Sequence, residues 1–375
     1  MKVLLTATVQ SHICQFHRPL VEILHEHGCE IHVAAKDNLA KKNGLKLDFV
    51  DKVYNVPFAR SPKSKDNLQA YKELKKIIEK EHYDVIHCNT PMGGIVTRLA
   101  ARKTRKRGTK VYYTAHGFHF YKGAPKKNWL VFYPIEKNFS RMTDTLITIT
   151  KEDYNLACKK FYCNVERIHG VGVDGKRYHS VSEDEKKKIR KQLGFLGTQK
   201  IILCVGELLP NKNQQMIIRS MKNIVTEYPD AKLLLAGNGP EKAILENLIN
   251  SLALGKNVKM LGYVTNLQEY QKIADIAVSC SKREGLPLNI VEAMLSGTPV
   301  VASMNRGHRE LIQDGKTGVL VNVDDYETLA ETIIGLLRNE QLYGNIRNSA
   351  KLYAEPYTFF NVKKELLRLY GFKSE

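Results

Sequence analysis

Ile276-Ala277-Val278-Ser279-Cys280-Ser281-Lys282-Arg283-Glu284-Gly285-Leu286-Pro287-Leu288-Asn289-Ile290-Val291-Glu292-Ala293-Met294-Leu295-Ser296-Gly297-Thr298-Pro299-Val300-Val301-Ala302 reads as a strand, a polar loop, a helix and a second strand. Proline suits the first helical turn, where its missing N–H has no partner to lose, and Gly297 suits the helix end. A short apolar run, a loop and an amphipathic helix returning to another apolar run is the unit from which parallel sheets are built. Free amides at such a helix start can receive phosphate.

The same alternation extends through the second half. Strands are expected at Lys200 to Val205, Ala231 to Ala236, Val258 to Leu261, Ile276 to Ser279 and Pro299 to Ala302. In the first half they are expected at Val3 to Ala7, Ile31 to Ala35, Val53 to Val56, Val85 to His87, Val111 to Thr114 and Thr145 to Thr150. The expected fold is therefore α/β, with two Rossmann-like doubly wound domains. Ligands of such sheets sit at the carboxyl ends of the strands, so two facing domains would bind across a cleft.

At 375 residues the chain exceeds the size at which one core usually stops growing. Residues 1–180 are read as an N-terminal Rossmann-like domain and 199–355 as a C-terminal Rossmann-like domain. The charged run 181–198 is the expected linker, a helix without an obvious apolar face. Residues 356–375 are expected to form a helix packing back toward the N-terminal domain.

With 43% hydrophobic and 26% charged residues, the composition supports packed cores and excludes disorder. The 58 Lys and Arg outnumber the 39 Asp and Glu, for a net charge of +19, which favours an anionic partner. Arg98, Arg102, Lys103, Arg105, Lys106, Arg107 and Lys110 cluster at an expected helix end. That cluster is either a solvated terminus or a patch facing an anionic membrane. Zinc spacing and an aromatic RNA-binding signature are missing, which ranks nucleic acid low as a partner.

Seven cysteines without a C-x-x-C pair point to a reducing, cytoplasmic compartment. The opening apolar run Val3 to Ala7 is too short for a signal peptide and reads as a buried strand. No run reaches the ~20 apolar residues a membrane span needs, so membrane contact is expected to be peripheral, at the inner face.

Glu284 and Glu292 stand eight residues apart, one in the loop and one in the helix. Carboxylates are double acceptors and suit vicinal hydroxyls, although solvated glutamates at a helix start are the ordinary reading of that spacing alone. The segment Glu284 to Ala293 resembles the E-G-x-P-x-x-x-x-E-A signature of retaining glycosyltransferases of family 4, which have GT-B architecture. Further motifs match in order: Val205-Gly206-Glu207-Leu208 with Lys212-Asn213, Leu235-Ala236-Gly237-Asn238-Gly239-Pro240, Leu261-Gly262-Tyr263-Val264, Gly297 to Ala302, and Asp314-Gly315-Lys316-Thr317-Gly318.

The resemblance implies a hexosyltransferase-type enzyme (EC 2.4) of bacterial exopolysaccharide or capsule synthesis, with residues 199–355 binding a nucleotide sugar, UDP-linked, and residues 1–180 a lipid-linked or oligosaccharide acceptor. It assigns Glu284 to the donor sugar, Glu292 to the ribose, Lys212 to the diphosphate, and the backbone near Gly262 and Tyr263 to the base. Gly206, Gly237, Gly285, Leu286 and Pro287 complete the expected donor-binding set. Many relatives carry an arginine where this chain has Glu207, so Arg283, Arg306 or a Glu207-oriented Lys212 must supply the missing charge. No Asp-x-Asp motif is visible, and neither a metal nor another cofactor is expected.

In the first half, the resemblance places His116, in Ala115-His116-Gly117-Phe118-His119-Phe120, beside the reacting sugar. Gln10-Ser11-His12-Ile13-Cys14-Gln15-Phe16-His17-Arg18-Pro19 is expected as a loop. His12, His17 and, more weakly, His119 are candidates for acceptor or phosphate contact; a histidine settled by backbone hydrogen bonds is the ordinary alternative. Tyr121 to Trp129 is expected as an exposed loop. A sugar-nucleotide epimerase of the same architecture is the rival enzyme. An NAD-dependent one is disfavoured because no G-x-G-x-x-G follows the first strand.

Overall fold

The computed structural model describes residues 1–41 and 44–373. It divides into one unit of Met1–Gly172 with Val362–Glu375 and a second of Val173–Asn361. In the first, β1 (Lys2–Val9), β2 (Glu30–Lys36), β3 (Lys52–Asn55), β4 (Val85–Asn89), β5 (Lys110–Ala115), β6 (Thr145–Thr148) and β7 (Asn164–Arg167) form a sheet. Its order is β3-β2-β1-β4-β5-β6-β7, and every pairing is parallel.

The second unit repeats the plan. Its strands are β8 (Ile201–Val205), β9 (Lys232–Ala236), β10 (Val258–Gly262), β11 (Ile276–Ser279), β12 (Val300–Ser303) and β13 (Val319–Val321). They are ordered β10-β9-β8-β11-β12-β13, again all parallel. Both sheets therefore reverse their winding once, between β1 and β4 and between β8 and β11. Such a reversal opens a crevice above the carboxyl ends of the two central strands.

Central strands are buried from both faces, as helices on each side require. In β1 the six residues Val3 to Thr8 are all buried, and in β11 and β12 every residue is. The edge strands β7 and β13, absent from the sequence expectation, lack such runs. β7 has a single apolar residue, and β13 is apolar throughout but only three residues long, too short a run to read as a strand.

Three segments depart from, or qualify, the sequence reading. Gln10 to Pro19 is not a loop: helix Gln10–Phe16 starts directly after β1, and helix Arg18–Glu26 follows. His12 and Phe16, one helical turn apart, pack with ring centroids 5.0 Å apart, and Pro19 falls in the tolerated first turn of the second helix. Helix Lys126–Ser140 takes up the end of the Tyr121 to Trp129 segment. Trp129 packs against Phe120 and Tyr133 and donates to the Tyr121 carbonyl at 3.2 Å, so it anchors that segment.

The charged helix Glu183–Gln192 does lack an apolar stripe, and ion pairs hold it instead. Ser182 caps it by accepting from Glu185 N, with three acidic residues in the first turn. Buried Arg190 donates to Asp275 at 2.7 Å and to the carbonyls of Ile273, Gly197 and Gln199. Lys186 meets the same carboxylate at 2.8 Å. At the chain's other end, Tyr370 hydrogen-bonds buried His87 at 2.7 Å and Glu365 holds His169 at 2.6 Å, both within the first unit.

Candidate active site

In the second unit the chain leaves β8 through Gly206, and the loop after β9 crosses it at a position that requires glycine. A Cβ on Gly237, whose φ is +148°, would lie 2.0 Å from the Gly206 carbonyl oxygen. The loops after β8 and β9 thus touch backbone to backbone. Gly237 N donates to the Gly262 carbonyl at 2.8 Å, which ties in the loop after β10, and Tyr263 beside it is 65% exposed. Three of the four expected donor glycines, Gly206, Gly237 and Gly262, accordingly form one continuous backbone surface.

Lys212 lies over this surface, its stem 3.6–3.8 Å from where a Gly206 Cβ would be. Its ammonium donates to Glu284 Oε1 at 2.5 Å. The loops carrying the two residues are laced by Lys282 N to the Asn211 carbonyl at 2.8 Å and Asn211 Nδ2 to the Arg283 carbonyl at 2.9 Å. Glu207 is exposed, so Glu284 is the carboxylate that orients Lys212.

Gly285, Leu286 and Pro287 lead into helix Leu288–Leu295, with Pro287 at its N-cap. Asn289 Nδ2 pins the helix start to the Val205 carbonyl at 3.0 Å. A second helix, Arg306–Leu311, rests on the loop: a Cβ on Gly307 would fall 2.7 Å from both Glu284 Cβ and the Gly285 carbonyl oxygen. His308 is fully buried among Ser279, Ser303 and Asn305. Burial first, then the Lys212 charge, outweigh the Ser303 carbonyl and Glu284 and lower its pKa to about 4. The ring is a neutral strut beneath the ion pair.

Glu292 lies one turn into helix Leu288–Leu295 and has different partners. Burial lifts its carboxyl to about 7, against the opposing pull of the Tyr178 hydroxyl and Arg177. Tyr178 and Arg177 are missing from the sequence reading, because they lie outside the motif-bearing half and carry no motif of their own.

In the first unit, His116 follows β5, Asn89 ends β4, His12 lies in the first turn of helix Gln10–Phe16, and His17 joins that helix to the next. Ring centroids stand 4.8 Å apart for His12 and His116, 5.4 Å for His12 and His17, and 6.1 Å for His17 and His116. Burial lowers His12 to about 3, helped by the fields of His116 and Arg60. Burial also lowers His116 to about 4 and holds His17 well below its ordinary value. All three rings are neutral near pH 7. His119 stands apart, stacked on Phe132 at 4.6 Å.

The basic cluster is smaller than its sequence suggests. Arg98 is 1% exposed, paired with Glu136 at 3.0 Å and set over the Tyr113 ring at 4.1 Å. Arg105 bonds Asp144 at 3.0 Å and neighbouring carbonyls. Arg102, Lys103, Lys106, Arg107 and Lys110 remain exposed. Among the described residues, no helix is long and apolar enough to cross a membrane.

Comparison with known proteins bears on the family and the fold. Residues 185–353 match the family model of glycosyl transferases group 1, and residues 2–150 match that of glycosyl transferase 4-like proteins. The chain is 38% identical over 372 residues to EpsD of Bacillus subtilis (strain 168), which carries a provisional glycosyltransferase assignment, covering 99% of this chain and 96% of EpsD. It is 28% identical over 310 residues to the UDP-Gal:alpha-D-GlcNAc-diphosphoundecaprenol alpha-1,3-galactosyltransferase of Escherichia coli, covering 79% and 78% of the two chains. The crystal structure of Anabaena HepE in complex with UDP superposes with a TM-score of 0.79 at 21% identity, over 99% of this chain and 100% of that one.

Proposed function

The chain belongs to the glycosyl transferases of group 1, and on that premise we propose that it moves a sugar from a UDP-linked donor to a lipid-linked or oligosaccharide acceptor, with retention of anomeric configuration, in exopolysaccharide or capsule synthesis. The observation that carries the reading is the Lys212–Glu284 pair at the β8/β11 reversal, 2.5 Å apart and joined to the Gly206–Gly237–Gly262 surface. Exopolysaccharide synthesis rests on the likeness to EpsD, and the UDP donor on the galactosyltransferase and the UDP-bound HepE.

In this reading the diphosphate lies along the glycine surface and the amides that open helix Leu288–Leu295, with Lys212 opposing the charge that grows as the glycosidic C–O bond breaks. Glu284 holds Lys212 in place and accepts from the donor sugar, and Glu292 accepts from the ribose diol. His116 positions the donor sugar. The acceptor hydroxyl attacks from the face the diphosphate leaves, and a phosphate oxygen of the leaving group takes its proton. Exposed Arg102, Lys103, Lys106 and Arg107 support a peripheral contact with the inner face of an anionic membrane.

A thermal-shift screen against UDP-, GDP- and TDP-sugars tests the donor, since a ligand at 100 times its Kd stabilises the native state by about 2.7 kcal/mol. A UDP-sugar is expected to give the largest shift, and its transfer product to keep the donor's anomeric configuration by NMR. A flat response to every nucleotide sugar, or an inverted product, would sink the proposal.

Glu292 adds a pH signature. Its folded pKa of about 7 lies above the value in an unfolded chain, so the folded state binds the extra proton between about pH 4.5 and 7. Stability from this group is present at the acid end of that window and lost as pH rises through 7. Donor binding runs the other way, because a ribose diol needs the ionised acceptor. UDP affinity is therefore expected to rise from pH 6 to 8 in the wild type and to stay flat in Glu292→Gln, measured by isothermal titration; equal slopes would remove Glu292 from the ribose.

A further inference from the structure

Three imidazoles meet at the β1/β4 reversal of the first unit, and their hydrogen bonding is incomplete. His12 Nε2 and His17 Nε2 are both shielded from solvent and without a hydrogen-bond partner, and His17 as a whole is only 4% exposed. A buried nitrogen left unpaired costs about 1–3 kcal/mol, so two in contact mark a place built for something else. One ring nitrogen from each of His12, His17 and His116 lies within 4.8 Å of the others, the only such group of three among the described residues.

The third ring shows what kind of partner fits. Asn89 Nδ2 donates to the Thr6 carbonyl at 3.4 Å, which turns its Oδ1 toward His116 Nε2, 3.2 Å away. His116 therefore spends its N–H on Asn89, and Nδ1 is left with a lone pair. A lone pair repels a phosphate oxygen and attracts a cation. This is also the outer-shell arrangement that fixes a metal-binding imidazole in one tautomer and strengthens it as a base.

We propose that His12, His17 and His116 form a binding site for a divalent transition-metal ion of the zinc class. Imidazole nitrogen without carboxylate selects zinc, cobalt, nickel or copper over magnesium and calcium. Three protein ligands leave the fourth tetrahedral position to water or an anionic oxygen. With ligand distances of about 2.0–2.1 Å, the rings close onto the ion by side-chain rotation, and the site lies wholly within the first unit. It shares His116 with the transfer mechanism proposed above but does not rest on it. A metal and a sugar would compete for the same His116 lone pair, so binding is measured in donor-free protein.

The full-length protein, stripped of metal, is titrated with Co²⁺ and followed by visible d–d absorption, then challenged with Zn²⁺. One equivalent of Co²⁺ with a four-coordinate spectrum, displaced by one equivalent of Zn²⁺, is expected. His12→Asn and His17→Asn should each weaken binding more than about 10-fold, and Asn89→Ala about 10-fold through the lost outer-shell bond. Zinc-edge X-ray absorption on the wild type counts the imidazoles directly, whether or not a variant folds, and three are expected. Absence of a cobalt spectrum, fewer than three imidazoles, or unchanged affinity in folded His12→Asn and His17→Asn would overturn the site. So would inorganic phosphate binding to the metal-free protein that is lost in His12→Asn, because the cluster would then belong to an anion.

Discussion

Lys212→Ala is expected to lower kcat for donor turnover by about 10²–10³-fold, the usual loss when one charge-stabilising donor is removed from a transition state. The ammonium is held against Glu284 at 2.5 Å, and its stem packs on Gly206. It is thus placed before substrate arrives, and no reorganisation is charged to the reacting step. Removing it also leaves the Glu284 carboxylate, whose side chain is only 13% exposed, without its cation, so the negative charge beside the diphosphate is no longer compensated. Lys212→Arg keeps the charge but not the point geometry and should lose less. Release of nucleoside diphosphate at saturating donor is the measurement. Because the interaction grows only as the leaving group departs, kcat and kcat/KM should fall together. A rise in KM with kcat unchanged would make Lys212 a ground-state contact only.

That lysine was legible because its neighbours are constrained by backbone, which writes itself into sequence. Gly237 must be glycine where two loops cross, and Pro287 sits at the N-cap where a helix begins. Such requirements leave fixed residue types at fixed spacing. The central strands were legible for a similar reason: residues such as Val3 to Thr8 are buried from both sides, and a continuous apolar run follows. Edge strand β7 carries no such demand and leaves no signal, while β13 is an apolar run of only three residues, too short to stand out.

Side chains that act by convergence are harder to read. Tyr178 reaches Glu292 from more than a hundred positions away, and Asn89 reaches His116 from the end of a different strand. Neither residue type is required by its own local structure. The helix carrying His12 went unread because Gln10 to Phe16 spans only seven residues, too few turns for a periodic pattern to emerge. Seen as a loop, the segment offered two separate histidines; coiled, it brings both toward His116.

Arg98 is the sharpest case of a residue whose surroundings reverse its sequence reading, and its replacement should be the most destabilising single change in the first unit. Six other basic residues follow it within twelve positions, which makes it look solvated. The structure places it in helix Pro91–Ala100 with its side chain buried. Nε donates to the Gly94 carbonyl and Nη2 to Glu136, both at 3.0 Å, while Tyr113 donates its hydroxyl to the same carboxylate at 3.1 Å. Gly94 makes the fit possible, since a Cβ there would meet the Tyr113 ring at 2.6 Å. Arg98→Ala strands a buried carboxylate and is expected to cost about 3–5 kcal/mol, a large part of the roughly 5–15 kcal/mol a domain possesses. The paired change Arg98→Met with Glu136→Leu removes both charges and should restore most of that loss, because much of it comes from the charge left behind. Trp129, the single tryptophan, packs against Phe120 and Tyr133 in this unit, so its fluorescence in a urea titration follows the transition of interest. If Arg98→Ala shifts that transition by less than about 1 kcal/mol, the value of an exposed ion pair, then water reaches Glu136 and the pair is not the keystone its burial implies.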